Sequence, residues 1–130
     1  AARPARRPRG KRWTKTMPFI NTKITKTLDR EEKDQLTAAI NQITSECLGK
    51  GENWIMSGWE DGCDLYFKGK QDGAIVYVEV KLFGTPRPEA CEGMTRQLCD
   101  LFKEKLDIPA DRVYVSYFAT DRWGWNGGNF

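Results

Sequence analysis

The spacing of apolar residues in the first half of the chain predicts a strand, a helix and a second strand. Apolar and polar residues alternate over 18–24, which indicates a strand. Asp29 and Glu32 have the spacing of a capping box, and Gly49 stands where a left-handed residue would end the helix. Residues 54–59 are predicted to form the next strand. The apolar stripe of the helix consists of Leu36, Ala39, Ile40, Ile43 and Cys47.

The second half of the chain repeats this order. Glycines mark 60–73 as a turn region, and one interpretation of it is a hairpin around 65–67. Residues 74–83 alternate most clearly and are predicted to form a strand. Thr85-Pro86 predicts the start of a second helix, with proline at its first position and an end near Leu106. Its apolar stripe consists of Cys91, Met94, Leu98, Leu101 and Phe102.

A strand at 112–118 and an aromatic, glycine-rich segment at 119–130 complete the order strand, helix, strand, strand, helix, strand. Two β-α-β repeats predict an α/β fold in which two helices cover one face of a mixed sheet. The uncovered face would carry Ile75, Tyr77 and Phe83. Because water is a poor neighbour for such a face, we expect the sheet to pack against further copies of the chain.

Positive charge is concentrated at the start of the chain. The first sixteen residues hold seven Lys and Arg and no acid, whereas the rest holds fourteen basic and eighteen acidic residues. This composition is typical of disorder and fits three origins: an arm for nucleic acid or a membrane surface, a transit-type leader, or non-native residues from a start assigned too far upstream. We favour the last origin, because Met17-Pro18 stands where order is expected to begin. The predicted division is a basic extension over 1–17, non-native or removed, and one domain over 18–130.

The composition excludes several kinds of site. The chain has no histidine, so catalytic triads with histidine, Cys-His dyads and His-ligated metals are ruled out. No apolar run has the length of a membrane span or a signal peptide, which predicts a cytoplasmic protein or one secreted without a signal peptide. The cysteines form no C-x-x-C pair and are predicted to be buried free thiols that bind no metal; they are Cys47, Cys63, Cys91 and Cys99.

Two function classes are compatible with this strand order. An RNA-recognition motif needs a basic and aromatic signature on its third strand, but residues 72–80 contain Glu79, which would repel phosphate. We therefore expect no nucleic-acid partner. The other class is an enzyme whose base is the amine of Pro18, exposed when Met17 is removed. An apolar pocket beside a cation would keep that amine neutral near pH 7, whereas the competing interpretation is a proline that merely opens a strand.

Several segments of the chain are distinctive, namely MPFI at 17–20, Gly49-Lys50, VKLFG at 80–84, PADRVYVSYF at 109–118 and WGWNGGNF at 123–130. Through these segments, residues 18–130 resemble the macrophage migration inhibitory factor family of the tautomerase superfamily. The resemblance implies a homotrimer with active sites between subunits, and keto–enol tautomerisation of phenylpyruvate-type or dopachrome-type acids without a metal or other cofactor. It also implies cytokine-like signalling in animals, so the alternative function is a receptor ligand with vestigial tautomerase activity.

The resemblance also assigns roles to single residues. Pro18 would be the catalytic base, and Lys50 would hold the substrate carboxylate and lower the pKa of the proline. Tyr114 would reach in from the neighbouring subunit, and Ser116 stands where animal members usually carry asparagine. Whether Lys81 reaches the pocket stays open. The remaining positions expected at the substrate are Phe19, Trp54, Leu82, Phe83, Trp123, Trp125 and Phe130.

The residues before Pro18 bear directly on this chemistry. With 1–17 attached, the nitrogen of Pro18 is an amide, which is not basic. The 130-residue chain is therefore expected to be a poor tautomerase.

Overall fold

A computed structural model describes residues 17–49 and 51–130, so most of the predicted basic extension lies outside the described residues. The predicted order of elements is confirmed. Strand ends differ from the prediction by at most two residues, and Trp54 lies in a 3-10 turn before the second strand. The elements are β1 (Phe19–Ile24), α1 (Arg30–Leu48), β2 (Met56–Glu60), β3 (Val76–Phe83), α2 (Pro88–Leu106), β4 (Val113–Thr120), β5 (Gly124–Trp125) and β6 (Gly128–Asn129).

Helix α1 begins and ends as the sequence predicts. The backbone N–H of Glu32 donates to the Asp29 carboxylate at 2.8 Å, and the Asp29 N–H donates to the Glu32 carboxylate at 3.1 Å. This reciprocal capping box satisfies two donors that the first turn leaves free. At the other end Gly49 has φ of 69°, a left-handed conformation that glycine adopts without steric cost.

Helix α2 begins two residues later than predicted. Pro88, and not Pro86, occupies its first turn. The reason lies in Arg87, because a residue that precedes proline is pushed out of the helical region and into extended backbone. Arg87 accordingly has φ of −75° and ψ of 144° and forms the N-cap.

The four long strands form one mixed sheet in the order β2-β1-β3-β4. Strand β1 is parallel to β2 and β3 is parallel to β4, whereas the central pair β1 and β3 is antiparallel. Each parallel pair is joined through one helix, so the two predicted β-α-β repeats and the helix-covered sheet are confirmed. The core lies between the sheet and the helices and includes Ile20, Ile24, Leu36, Ile40, Val78, Val80, Leu82, Met94, Leu98 and Phe102.

The opposite face of the sheet exposes aromatic side chains. Tyr114 is 62% exposed and Phe118 is 48% exposed, although both belong to the long strand β4. Tyr77 and Phe83 are half-buried on the same face, but Ile75 is buried within the single chain and therefore needs no partner to cover it. The face retains an apolar surface that a monomer leaves in contact with water.

The loop before β3 forms a tight turn at Lys68-Gly69, two to three positions after the centre of the predicted hairpin. Phe67 and Lys70 exchange backbone hydrogen bonds of 2.8 and 3.0 Å, and Lys68 and Gly69 between them both have positive φ. This geometry is the two-residue hairpin turn that favours glycine. The turn places Phe67 beside the sheet, which becomes important for the site described below.

The cysteines are free, as predicted, but they are partly exposed and not buried. Burial is still sufficient to raise the pKa of the Cys47, Cys91 and Cys99 thiols. These three thiols are therefore protonated at neutral pH and are weak nucleophiles. Within the described residues, no group of three or more Cys, Asp or Glu side chains is arranged as a metal site. Neither described helix is apolar enough over a sufficient length to cross a membrane.

The partly buried carboxylate of Asp61 makes the stability of this fold depend on pH. Asp61 accepts a hydrogen bond of 2.8 Å from the Leu28 N–H and lies 3.1 Å from the Lys33 ammonium, and these contacts lower its pKa. Since a lowered pKa means that the folded protein favours the charged form, this contribution is present at neutral pH and is lost as pH falls through the lowered pKa. We expect Asp61→Asn to lower the urea midpoint at pH 7 and to have a much smaller effect in strong acid. The exposed Asp34→Asn change is the control, and an Asp61→Asn effect that is independent of pH would contradict the assignment.

Candidate active site

Pro18 is buried at the entrance to β1. Its carbonyl oxygen accepts a hydrogen bond of 3.0 Å from the Met56 N–H, which fixes it to β2 on one side. On the other side Phe19 pairs with Lys81 in the antiparallel register, so the next residues along, Pro18 and Leu82, are neighbours across β1 and β3. The proline nitrogen is thus held between two strands, at the end of the sheet where β1 begins.

Four aromatic side chains form two pairs at this end of the sheet. The rings of Phe83 and Phe130 have centroids 5.4 Å apart at an interplanar angle of 63°. Trp54 and Trp125 are 5.0 Å apart at 88°. Such edge-to-face contacts add a favourable interaction energy to the energy gained by burying the rings. The C-terminal segment therefore contacts predicted pocket residues on both β3 and the turn before β2.

The C-terminal hairpin that carries these rings was missed by the sequence analysis. Strands β5 and β6 are joined by Asn126-Gly127, both with positive φ, as a two-residue hairpin turn requires. The Asn-Gly dipeptide is itself the signal that could have predicted it. The Phe130 N–H donates to the Trp123 carbonyl at 2.9 Å and closes the hairpin. The last residue of the chain is thereby placed against Phe83.

This hairpin gives a testable prediction. Gly127 has φ of 84°, where an alanine would be strained by about 1–2 kcal/mol. We expect Gly127→Ala to loosen the hairpin and to reduce the near-ultraviolet circular dichroism of the Trp54–Trp125 pair, with the unfolding midpoint of the domain little changed. Gly93→Ala is the matched control, because a Cβ there has no neighbour within 4 Å in α2. An unchanged signal in Gly127→Ala would show that the hairpin does not depend on this turn.

Two predicted site residues lie away from Pro18 along the sheet. Leu82, beside Pro18, pairs with Ala119, whereas Tyr114 pairs with Tyr77. Tyr114 is therefore five residues along β4 from the level of Pro18, a separation of about 17 Å along the strand. Ser116 is three residues from that level, or about 10 Å. Within one chain, neither residue is close to the buried proline.

Tyr114 is braced by contacts that the sequence did not indicate. The ring of Phe67 stands edge-on against Tyr114, with centroids 5.5 Å apart. The guanidinium of Arg112 lies 5.4 Å from the centroid of the Phe67 ring. Arg112 is itself fixed by Asp72 at 3.2 Å and by two backbone carbonyls. The 62% exposed tyrosine is consequently held in place although its own strand leaves it open to solvent.

The structure says less about the roles of three other predicted site residues. The Leu82 side chain is fully buried in the core, so its main chain is the part that faces Pro18. Phe19 is half-buried between Met56 and Lys81. Lys50 lies outside the described residues.

The Lys81 side chain lies beside Phe118 on the uncovered face of the sheet. Its ammonium lies 6.0 Å from the ring centroid of Phe118, at the limit of a cation–π contact. Its backbone lies in β3 beside Phe19, two residues from Phe83.

Tyr117 is a second tyrosine of β4, but its side chain packs against the core. Its hydroxyl donates to the Cys91 carbonyl at 2.8 Å and contacts the Thr95 hydroxyl at 2.8 Å. Burial raises the pKa of Tyr117 to about 12, so this phenol stays neutral at physiological pH. It joins β4 to α2 and is not available for acid–base chemistry.

A proline nitrogen that is not acylated is a secondary amine and can accept a proton. The two aromatic pairs lie at the same end of the sheet, and aromatic rings can hold flat, apolar ligands. As the chain stands, Met17 acylates that nitrogen. The base would therefore become available upon cleavage of the bond between Met17 and Pro18.

Comparison with known proteins gives consistent matches. The sequence profile of the macrophage migration inhibitory factor (MIF) family matches residues 17–130. The crystal structure of Leishmania major MIF2 is 35% identical, covers 88% of this chain and 97% of that chain, and superposes with a TM-score of 0.81. A MIF homologue from Prochlorococcus marinus is 28% identical over 86% of this chain and 98% of its own, with a TM-score of 0.74.

A further relative matches over a shorter stretch. The macrophage migration inhibitory factor of Xenopus laevis is 45% identical over 38 residues, which are 28% of this chain and 33% of that protein. The match thus spans a third of the length of this curated relative. The full-length similarity comes from the family profile and from the solved structures.

Proposed function

The chain belongs to the macrophage migration inhibitory factor family, and we propose that it is a keto–enol tautomerase that acts as a homotrimer with Pro18 as its base. The substrates would be phenylpyruvate-type or dopachrome-type acids. The domain that acts would be 18–130, with the basic extension 1–17 removed or absent. Cytokine-like activity stays a prediction of the sequence.

The separation of the two halves of the site supports this proposal most directly. Pro18 lies at one end of the sheet, whereas the braced and exposed Tyr114 lies about 17 Å away along the strand direction. A residue that is fixed in place, aromatic and exposed is suited to a pocket in another molecule. A ring of identical subunits would bring the far end of one sheet to the proline end of the next.

The proposed reaction moves one proton. The free amine of Pro18 would accept a proton from the carbon next to the substrate carbonyl, which leaves an enolate and a prolinium. The prolinium would then give that proton to the enolate oxygen, which yields the enol and restores the free amine. In the reverse direction the prolinium returns the proton to carbon. Lys50 would pair with the carboxylate and, as a neighbouring cation, lower the pKa of the amine. The proposed proton transfer needs no external oxidant and no cofactor.

The aromatic pairs would set the orientation of the substrate. Phe83 with Phe130 and Trp54 with Trp125 present ring faces and edges to a flat aryl group. Holding the reacting carbon close to the amine lowers the entropic cost of the proton transfer. Excluding water also strengthens the attraction between Lys50 and a carboxylate.

The direct test uses the chain that begins at Pro18. We expect it to enolise phenylpyruvate and to have the mass of three chains in light scattering. Lys50→Ala should raise KM about tenfold for the carboxylate substrate, because a charged hydrogen bond is lost, and should reduce binding of 3-phenylpropionate by a similar factor. Lys105→Ala, which removes an exposed lysine near the end of α2, is the control. A chain without turnover, or a stable active monomer, would refute the proposal.

A further inference from the structure

Met17 is buried although it lies outside the main core. It is 5% exposed, and it does not belong to the cluster of residues packed between the sheet and the helices. A residue that precedes proline favours extended backbone, in which alternate side chains face the same way. Met17 is therefore on the uncovered side of the sheet with Phe19, opposite the core residue Ile20. The burial of Met17 needs a cause on that side.

The strand registers place Met17 between the two aromatic pairs. The antiparallel register of β1 with β3, continued by two residues, puts Met17 level with Phe83. The parallel register of β1 with β2, continued in the same way, puts it level with Trp54. Each of these rings has an aromatic partner from the C-terminal segment, at centroid distances of 5.4 and 5.0 Å. Met17 is thus flanked by a pair on either side.

The Met17 side chain suits this place chemically. Methionine is unbranched and polarizable, so it fills irregular apolar spaces and makes favourable contacts with aromatic rings. The aryl group of a substrate would seek the same apolar surface. The hydrogen bond from the Met56 N–H to the Pro18 carbonyl fixes the backbone next to Met17. A side chain on fixed backbone does not pay the cost of association that a free ligand pays, so it competes strongly for the space.

We propose that the Met17 side chain is an autoinhibitory plug, which occupies the space between the aromatic pairs and excludes a substrate's aryl group until the bond between Met17 and Pro18 is cleaved. This inference rests on the proposed function and concerns the regulation of that site. Met17 would act twice, because its carbonyl acylates the proline nitrogen and its side chain fills the pocket. Hydrolysis of that bond by a peptidase consumes one water and leaves a carboxyl group on Met17 and an amine on Pro18. One step thereby frees the base and empties the pocket.

The first experiment separates the plug from the acylated nitrogen. Calorimetry measures binding of 3-phenylpropionate, an aromatic acid that cannot enolise, to the 130-residue chain and to the same chain with Met17→Ala. The variant keeps the amide at Pro18 but loses most of the side chain. We expect it to bind the acid about tenfold more tightly and to stay without turnover, since a tenfold change means that Met17 leaves the pocket free about a tenth of the time.

A matched variant controls for changes at this position that do not empty the pocket. Leucine has nearly the volume of methionine, so Met17→Leu should bind the acid as weakly as the unmutated chain. Light scattering verifies that each variant has the oligomeric mass of the unmutated chain. The chain that begins at Pro18 supplies the reference for turnover, and Leishmania MIF2 matches this protein over 97% of its own length.

A second measurement locates Met17 in the unmutated chain, so it does not depend on the folding of a variant. The chain has three methionines, and a carbon-13 label on their methyl groups gives three signals in nuclear magnetic resonance. Met56 is 68% exposed and Met94 is fully buried, so they serve as references. We expect the Met17 signal, identified by its loss in Met17→Leu, to be displaced from that of Met56 by the neighbouring rings. Millimolar 3-phenylpropionate should shift it toward the position of an exposed methionine.

The outcomes distinguish this inference from the proposed function. An unchanged affinity in Met17→Ala, an equal gain in Met17→Leu, or a Met17 signal that coincides with that of Met56 overturns the plug even if the chain from Pro18 turns over. Tighter binding in Met17→Ala alone, together with an inactive chain from Pro18, supports the plug and refutes the tautomerase. If no preparation binds the acid, the plug excludes nothing and is overturned, whereas turnover still decides the proposed function.

Discussion

The chain that begins at Pro18 should enolise phenylpyruvate about 10²- to 10⁴-fold faster than the 130-residue chain, the range that a positioned acid–base group contributes. In the longer chain the nitrogen of Pro18 is part of the Met17-Pro18 amide, whose lone pair is delocalised and cannot accept the proton. Cleavage of that bond changes the group from an amide to a secondary amine, and it also removes the Met17 side chain, which is buried in the longer chain. The measurement is kcat/KM near neutral pH on preparations whose mass confirms the first residue.

The matched control for this comparison begins at Met17. It lacks residues 1–16 but retains the acyl group on the proline nitrogen. If acylation is the cause, the chain from Met17 stays as slow as the 130-residue chain, and the increase appears upon removal of one residue. Equal and high rates for all three preparations would end the assignment of Pro18 as the base.

Mixing two inactive variants should restore activity. One chain begins at position 18 with Pro18→Gly and retains Tyr114, and the other begins at Pro18 and carries Tyr114→Ala. If each site takes the proline from one subunit and the tyrosine from the next, random mixing in equal amounts gives intact sites at about a quarter of the interfaces. We therefore expect about a quarter of the activity of the unmutated chain after unfolding and refolding the two together, compared with a loss of about 10² or more in each alone.

Two comparisons make this result specific. Refolding each variant by itself and then combining them should restore little activity, because preformed oligomers exchange slowly. Mixing Pro18→Gly with a chain that carries Pro18→Gly and Tyr114→Ala should restore none. Absence of recovery in the first mixture, with the mass of the oligomer confirmed, would place both residues in the same subunit's site or exclude Tyr114 from it.

Local sequence rules were sufficient for most of the fold. Asp29, Glu32 and Gly49 define the ends of α1 through contacts between residues three or four positions apart, and the structure has those contacts. The start of α2 was misplaced because two prolines compete for one helical position. The restriction that Pro88 imposes on Arg87 decides between them, and that rule is also local.

The site could be predicted from sequence only as a set of residues. The contacts of Trp54 with Trp125 and of Phe67 with Tyr114 join residues that are far apart in the chain, so no periodicity indicates them. The hydrogen bond between Tyr77 and Ser116 is of the same kind, since it depends on the register of β3 with β4. The distance between Pro18 and Tyr114 likewise follows from the strand order and not from the motifs.

The placement of Pro18 and Tyr114 at opposite ends of one sheet has a kinetic consequence under the proposed scheme. A solitary chain would supply Pro18 to one catalytic centre and Tyr114 to another, and would hold neither centre complete. Turnover per chain should therefore fall when the protein is diluted below the dissociation constant of the oligomer. Cells could then regulate the reaction through the abundance of the protein alone, with a threshold steeper than first order.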